Sequence, residues 1–419
     1  MSTTPGTTPA ATTRVRPGLV LVGVLALALN LRAALSGYPP LLETARADLG
    51  IGSGAAGLVQ ACAVLMMSAG SFAASALAAR VGRERLLGVA VATIGVGSLV
   101  RAVPVLGTLV VGSLLVGLGI GVGGVLVTGV VKEHLPERAG AVTGGYVVSM
   151  MLGATVSSAL AAPLAVLLGG WSYSLAVWAV PAALALAVWV PVGSRIGRNP
   201  GPGATTAHPA GSAEGPHARD DEASVEAGFS AWRDPFARRV ACYLAGSSTL
   251  FYSWLTWLPP FYEGRGWSPA TAGLLLSAWS IAQIPAALLM PAAAERRHRW
   301  RFWAFLTVVS STVGTLGILV LPGDGTPLPW LWAVLIGIGV GAGFPLGLTV
   351  IAWRTSTPAR AAAVSGFGLG VGYFAAGLGP LLMGLLVDLG GFVPAILLLV
   401  AAAALQAGAI LRIGDRPSG

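Results

Sequence analysis

Apolar runs of about 18 to 25 residues recur along this whole chain, and each is long enough to cross a bilayer as a helix. Inside hydrocarbon a backbone must satisfy its own hydrogen bonds, so runs of this kind commit the chain to helices. Charged residues are only 10% of the sequence and hydrophobic residues 55%, and no water-soluble chain of 419 residues is built that way. Spans are predicted near 18–42, 54–78, 86–104, 107–131, 140–168 and 171–193, then near 237–262, 268–292, 302–321, 328–352, 361–387 and 392–411. The expected architecture is an all-α membrane protein of twelve transmembrane helices in two six-helix bundles, 18–193 and 236–412. A Thr- and Pro-rich tail, 1–17, precedes them and reads as disordered. A Gly-, Pro-, Ala-, His- and Asp-rich stretch, 194–235, reads as a flexible linker between the halves, and a short tail, 413–419, closes the chain.

The net charge of +9 is a topology signal rather than a nucleic-acid footprint. Of the 25 Lys and Arg residues, Arg46, Arg101 and Arg265 fall on one side, Arg32 falls inside a span, and the other 21 share the opposite side. The positive-inside rule makes that crowded side cytoplasmic, so linker and both tails are expected there. Arg14 and Arg16 before an apolar run mimic a signal peptide, but the run is too long and no small-residue cleavage site closes it. Cys62 and Cys242 lie in or beside apolar segments and read as small buried side chains rather than a disulfide.

Arg32 stands well inside the first run, roughly 20 Å along its helix. A charge at that depth costs at least about 2.5–3.5 kcal/mol on insertion scales, so it needs a partner or a wet cavity. None of the sixteen acids falls near mid-membrane, and the four histidines, His134, His208, His217 and His298, lie in loops or linker. The functional reading makes the substrate the counter-ion of Arg32. The structural alternative has Arg32 capping backbone carbonyls or snorkelling outward. The missing acids also argue against a buried carboxylate as a proton-coupling device.

The two halves repeat each other. Tyr38-Pro39-Pro40-Leu41-Leu42-Glu43 parallels Leu258-Pro259-Pro260-Phe261-Tyr262-Glu263, and Ala56-Gly57-Leu58 parallels Ala272-Gly273-Leu274. The run from Gly117 to Gly123 parallels that from Gly337 to Gly343, and Leu168-Gly169-Gly170-Trp171 parallels Leu389-Gly390-Gly391-Phe392. The offset stays near 220, so Arg32 pairs with Tyr252, and the two are expected to approach one cavity from opposite sides. Halves repeated in the same orientation are the pattern of transporters that bind substrate at the midplane.

Further candidates for substrate contact are Asn30, Tyr373, Gln60 and Gln283, each with helix packing or interhelical hydrogen bonding as the competing role. Gly117, Gly121, Gly337 and Gly341 suit close helix packing that lets the halves rock. Gly119, Gly121 and Gly124 match a dinucleotide-binding spacing, but no strand precedes them. Pro39-Pro40 and Pro259-Pro260 are expected to bend or end spans 1 and 7. Trp254, Trp257 and Trp267 read as interface anchors. No metal cluster, nucleotide loop or nucleophile–base set is evident, so neither a cofactor nor an enzymatic activity is expected. The expected partners are a small anionic substrate and the lipid bilayer, with no nucleic acid, and the chain is expected to act as a monomer.

In architecture the chain resembles the major facilitator superfamily. The loop Ala79-Arg80-Val81-Gly82-Arg83-Glu84-Arg85 is similar to that superfamily's loop 2–3 signature, with Ala79 where an Asp is usual. This resemblance gives Arg80, Gly82 and Arg83 a gating role beside their part in topology. More narrowly the chain resembles the cyanate and 2-nitroimidazole permease family, through Asn30-Leu31-Arg32, Phe251-Tyr252, Trp257-Leu258-Pro259-Pro260 and Ala272-Gly273-Leu274-Leu275-Leu276-Ser277. Phe344-Pro345-Leu346, Ser365-Gly366, Gly370-Val371-Gly372-Tyr373 and Leu378-Gly379-Pro380 extend the match into the second half. The resemblance implies alternating-access transport of a small anion such as cyanate. Gly124, Ser247 and Leu369 stand where that family often carries Asn, Gln and Gln, and these losses favour a larger or more apolar anion. Two other functions stay open: efflux of neutral or cationic compounds, and a non-transporting membrane sensor or scaffold.

Overall fold

The computed structural model describes residues 17–134, 139–196, 230–323, 325–355 and 357–413. The expected disorder of 1–16 and most of the expected linker, 197–229, lie outside the described residues, as does 414–419. Span 1 is a helix, Pro17–Ser36, followed by a 3-10 turn, Pro39–Leu41, and a short helix, Leu42–Leu49. Spans 2 to 5 are Ser53–Val81, Arg83–Val100, Leu106–His134 and Ala139–Leu167. Span 6 divides into Trp171–Ala176 and Ala179–Ile196. Spans 7 to 12 are Pro235–Glu263, Pro269–Arg297, Trp300–Val320, Leu328–Arg354, Pro358–Gly390 and Phe392–Ile413.

Ten of these segments are long and apolar enough to cross a membrane by themselves. The remaining two long helices are spans 3 and 7. Arg83, Glu84 and Arg85 open span 3, and Arg238 and Arg239 with several Ser, Thr and Tyr residues dilute span 7. Both pack among other spans, span 3 on span 4 and span 7 on span 11, while Arg85, Arg238 and Arg239 at their termini-face ends stay exposed.

The two faces of the bundle follow from named contacts. Tyr38 donates to the Ala56 carbonyl at 3.1 Å and Trp257 Nε1 to the Pro380 carbonyl at 2.9 Å. Asp388 accepts from the amides of Ser53 at 2.9 Å and Gly54 at 2.7 Å. These contacts gather the ends of spans 1, 7 and 11 and the start of span 2 at one face, the distal face. Pro17 and Ile413 therefore lie at the opposite one, the termini face.

Glycines set how closely the spans approach. A side chain begun at Gly117 or Gly121 would collide with the backbone of Ala63 or Met67 in span 2. Gly337 stands likewise against the Trp279 carbonyl of span 8, and Gly341 against Gln283. The glycine seam of span 4 on span 2 thus has its repeat in the seam of span 10 on span 8. Gly82 joins spans 2 and 3 at φ +90°, a conformation costly for residues with a side chain, while Arg80 is exposed beside it.

The paired prolines do not act alike. Span 1 ends at Ser36, before Pro39-Pro40, whereas span 7 runs through Pro259 and Pro260 to Glu263. The residue ahead explains the difference. Gly37 offers no side chain to hold a helix, and a Cβ there would fall 2.8 Å from Ser157 Oγ. At the matching position Trp257 is fully buried and anchored to Pro380, which carries the helix onward. Side chains from elsewhere in the first half donate to the carbonyls at the end of span 1, where the Gly37 amide still bonds Ala33 O at 3.3 Å. Ser157 Oγ donates to Ala33 O at 2.6 Å, and Arg101 Nη1 to Ala34 O at 2.9 Å.

Several expectations are corrected here. Trp254 and Trp257 are buried, and their indole N–H groups bond Thr315 Oγ1 at 3.0 Å and Pro380 O, so they are core residues and not interface anchors. Trp267 is half-buried and stacks on Tyr262 and Trp330. Cys242 is exposed rather than buried, and Cys62 is partly exposed.

The halves meet through spans 2 and 11, through spans 5 and 8, and through the Pro39–Leu41 turn against spans 7 and 8. That turn adds a contact layer between the halves at the distal face. It also brings together the repeat-related acids. Glu43 is held by Arg46, with Nη2 at 2.6 Å and Nε at 2.9 Å. Glu263, just beyond the stretch predicted to cross the membrane, has a buried Oε1 with no donor. Burial first, and then the Glu43 charge, push its carboxyl up to about 8.

Two measurements test this packing. Gly117→Val should destabilise the protein by about 2 kcal/mol or more, read as a lower melting temperature in detergent, because backbone would have to move. The raised Glu263 value means the folded state holds a proton that the unfolded chain releases. Stability should therefore fall as pH rises from about 5 to 8, by roughly 1–2 kcal/mol after allowance for partial exposure. Glu263→Gln should flatten that part of the pH–melting profile.

Candidate functional site

Arg32 lies one turn before the end of the Pro17–Ser36 helix, about 22 Å from its start. The break at Gly37, fixed by Ser157 and Arg101, sets the height and facing of this last turn. Arg32 is half-buried, and its guanidinium carbon sits 4.7 Å from the ring centroid of Phe251 and 5.8 Å from that of Tyr252. Aromatic faces at these distances contribute between about 0.5 and 2 kcal/mol to a half-buried cation and so offset part of its insertion cost. No carboxylate among the described residues is paired with it.

Around the guanidinium the rings form a cluster from both halves. Phe251 and Tyr252 meet edge to face at 4.9 Å, and Phe251 reaches Trp279 at 5.1 Å. Tyr252 donates its hydroxyl to Met67 Sδ at 3.7 Å, a weak bond across the two halves. Tyr373 stacks at 6.1 Å on Phe344. Tyr146, Tyr252 and Tyr373 are all electrostatic neighbours of Arg32. Three of the seven tyrosines in the chain thus lie within electrostatic reach of Arg32.

The candidates from sequence separate in space. Arg32, Tyr252 and Tyr373 come together. Asn30 turns away, donating from Nδ2 to Ala26 O at 2.8 Å and to Pro181 O of span 6 at 3.2 Å. Its short amide is spent on holding span 1 to span 6, which corrects its place among the substrate contacts. Gln283 bonds its own helix at Trp279 O, 3.2 Å, and packs against Gly341. Gln60 is buried about 10 Å nearer the distal face than Met67, on the same side of span 2. Neither amide is brought to the Arg32 cluster.

Phe251 enters the sequence reading only as the neighbour of Tyr252 in the family resemblance, and Tyr146 and Met67 do not enter it. The adjacency of Phe251 to Tyr252 and the scarcity of tyrosine were the available signals. Tyr146 lies seven residues short of the repeat position of Tyr373, hence two turns along the same face of the fifth helix of its half.

A second buried arginine sharpens the contrast. Arg101, expected on the distal side, is there but 2% exposed. Its Nη1 reaches Ala34 O and its Nη2 reaches Ser113 Oγ, each at 2.9 Å. Arg101 is a structural cap, while Arg32 faces aromatic rings.

The model of the Major Facilitator Superfamily matches residues 21–352 and, in a second register, 264–419. The chain belongs to the major facilitator superfamily. It is a multi-pass membrane transporter of that superfamily and not an enzyme. The 2-nitroimidazole transporter of Escherichia coli (strain K12) is 30% identical over 373 residues, covering 89% of each chain. The cyanate transport protein CynX of the same organism is 30% identical over 374 residues, covering 89% of this chain and 90% of its own. Among solved structures, a bacterial homologue of the human lysosomal transporter Spinster, in an inward-facing and unoccupied conformation, aligns with a TM-score of 0.75. It shares 15% identity, over 96% of this chain and 98% of that one, and so supports the major facilitator fold alone.

Replacing Asn30 tests the division between packing and binding within this facilitator. Asn30→Ala should cost about 1–2 kcal/mol of stability for its two lost hydrogen bonds. Ligand affinity, measured by titration calorimetry on the folded fraction, should change less than threefold.

Proposed function

We propose that this protein is a plasma-membrane secondary transporter that moves a small anion by alternating access, with Arg32 as the anion's counter-charge. The observation that carries the reading is Arg32 itself, a mid-depth guanidinium with aromatic faces beneath it and no resident carboxylate. A guanidinium keeps five N–H donors in a plane and binds oxyanions in a forked geometry. Arg32 belongs to the first half and Tyr252 and Tyr373 to the second, so an anion held among them would tie the halves together. That is the arrangement alternating access requires.

The arginine asymmetry supports an orientation with the termini face in the cytoplasm. The names of the relatives make cyanate and 2-nitroimidazole reasonable first compounds to assay.

Uptake into proteoliposomes tests the reading. Arg32→Ala should reduce anion uptake at least tenfold, since a charge-assisted pair contributes about 1.5–3 kcal/mol. Tyr252→Phe should reduce it by a smaller factor, because it removes one hydroxyl and keeps the ring. Equal uptake by wild type and Arg32→Ala would overturn the proposal, and so would transport that ignores the substrate's charge.

A further inference from the structure

The walls beside Arg32 are made of rings, and the nearby space is not filled from span 4. Phe251 and Tyr252 lie 4.7 and 5.8 Å from the guanidinium, and the Phe344–Tyr373 pair stacks at 6.1 Å in the same half. Gly123 of span 4 backs onto Leu31, the neighbour of Arg32, and the next residue, Gly124, has no atom within 4 Å of where a side chain would begin. The amides that might have served a small hydrated anion are elsewhere, with Asn30 bonded to Ala26 and Pro181 and Gln283 packed on Gly341.

This pattern discriminates between anions. A very small anion would give up its hydration for one guanidinium and a few phenol hydroxyls, and the remaining contacts would be ring faces and edges. A carboxylate carried on a flat ring meets both parts of the site. Its oxygens match the guanidinium fork, and its ring gains offset or edge-to-face contacts with the aromatic walls.

We propose that the site takes an aromatic monocarboxylate, with the carboxylate on Arg32 and the ring against Phe251, Tyr252 and the Phe344–Tyr373 pair. This rests on Arg32 being the anion anchor, and it adds a requirement for a ring that the anchor alone does not impose. Selectivity comes from shape and ring electrostatics, because a saturated ring of equal charge is puckered and presents no π face.

Equilibrium binding to the purified full-length protein tests it, with benzoate, cyclohexanecarboxylate, acetate and benzamide as probes. Benzoate is expected to bind about tenfold more tightly than cyclohexanecarboxylate, and benzamide to bind far more weakly than benzoate. Phe251→Leu should bring the benzoate-to-cyclohexanecarboxylate ratio down to about two or three, and Phe344→Leu serves if that variant folds poorly. Arg32→Gln should abolish binding of every carboxylate. Equal affinity of wild type for benzoate and cyclohexanecarboxylate, with both lost in Arg32→Gln, would overturn the aromatic proposal and leave the anion reading standing. Benzoate binding that survives Arg32→Gln, or benzamide binding as tight as benzoate, would overturn the anion reading instead. No carboxylate binding at all would overturn both.

Discussion

A guanidinium at mid-depth of a bilayer is tolerable only where protein keeps it from lipid, and much of this molecule serves that requirement. Arg32 is shielded because the two halves close around it at the distal side, and they close because glycine-lined helices approach without side chains between them. It is held at one height because span 1 stops at Ser36, where Ser157 and Arg101 donate to the carbonyls of Ala33 and Ala34. Its charge is balanced in part by the faces of Phe251 and Tyr252. If any of these elements were removed, the cation would meet lipid or leave the axis between the halves.

The contrast between the two buried arginines shows why partners matter more than burial. Arg101 is the more deeply buried, yet it has backbone and hydroxyl acceptors and therefore a static task. Arg32 is less buried and lies on the rings of Phe251 and Tyr252, whose faces steady its charge. The same residue type thus does two jobs, decided by what stands opposite it.

Much of the fold was legible because bilayer length and the near-220 offset leave strong marks on a sequence. Those two signals located the helices, divided the chain into halves and paired Arg32 with Tyr252, which the structure brings within contact of each other. They could not show which way a side chain turns. Asn30 is two residues from Arg32, and only the packing of span 6 reveals that its amide is spent on Pro181. Tyr146 was hidden because its repeat partner sits two turns away rather than at the same position. Trp254 and Trp257 looked like anchors by depth, but spans 9 and 11 cover them. Neighbour contacts of this sort arise from helix rotation and tilt, which composition does not record.

Gly37 and Trp257 occupy equivalent places in the repeat, and one interrupts its helix while the other reinforces it. The halves therefore share a blueprint without sharing mechanics. Span 1 has a joint just past its charged turn, whereas span 7 is a beam bolted to span 11. The charge is therefore seated at a pinned helix end in one half, and the ring wall on an unbroken helix in the other.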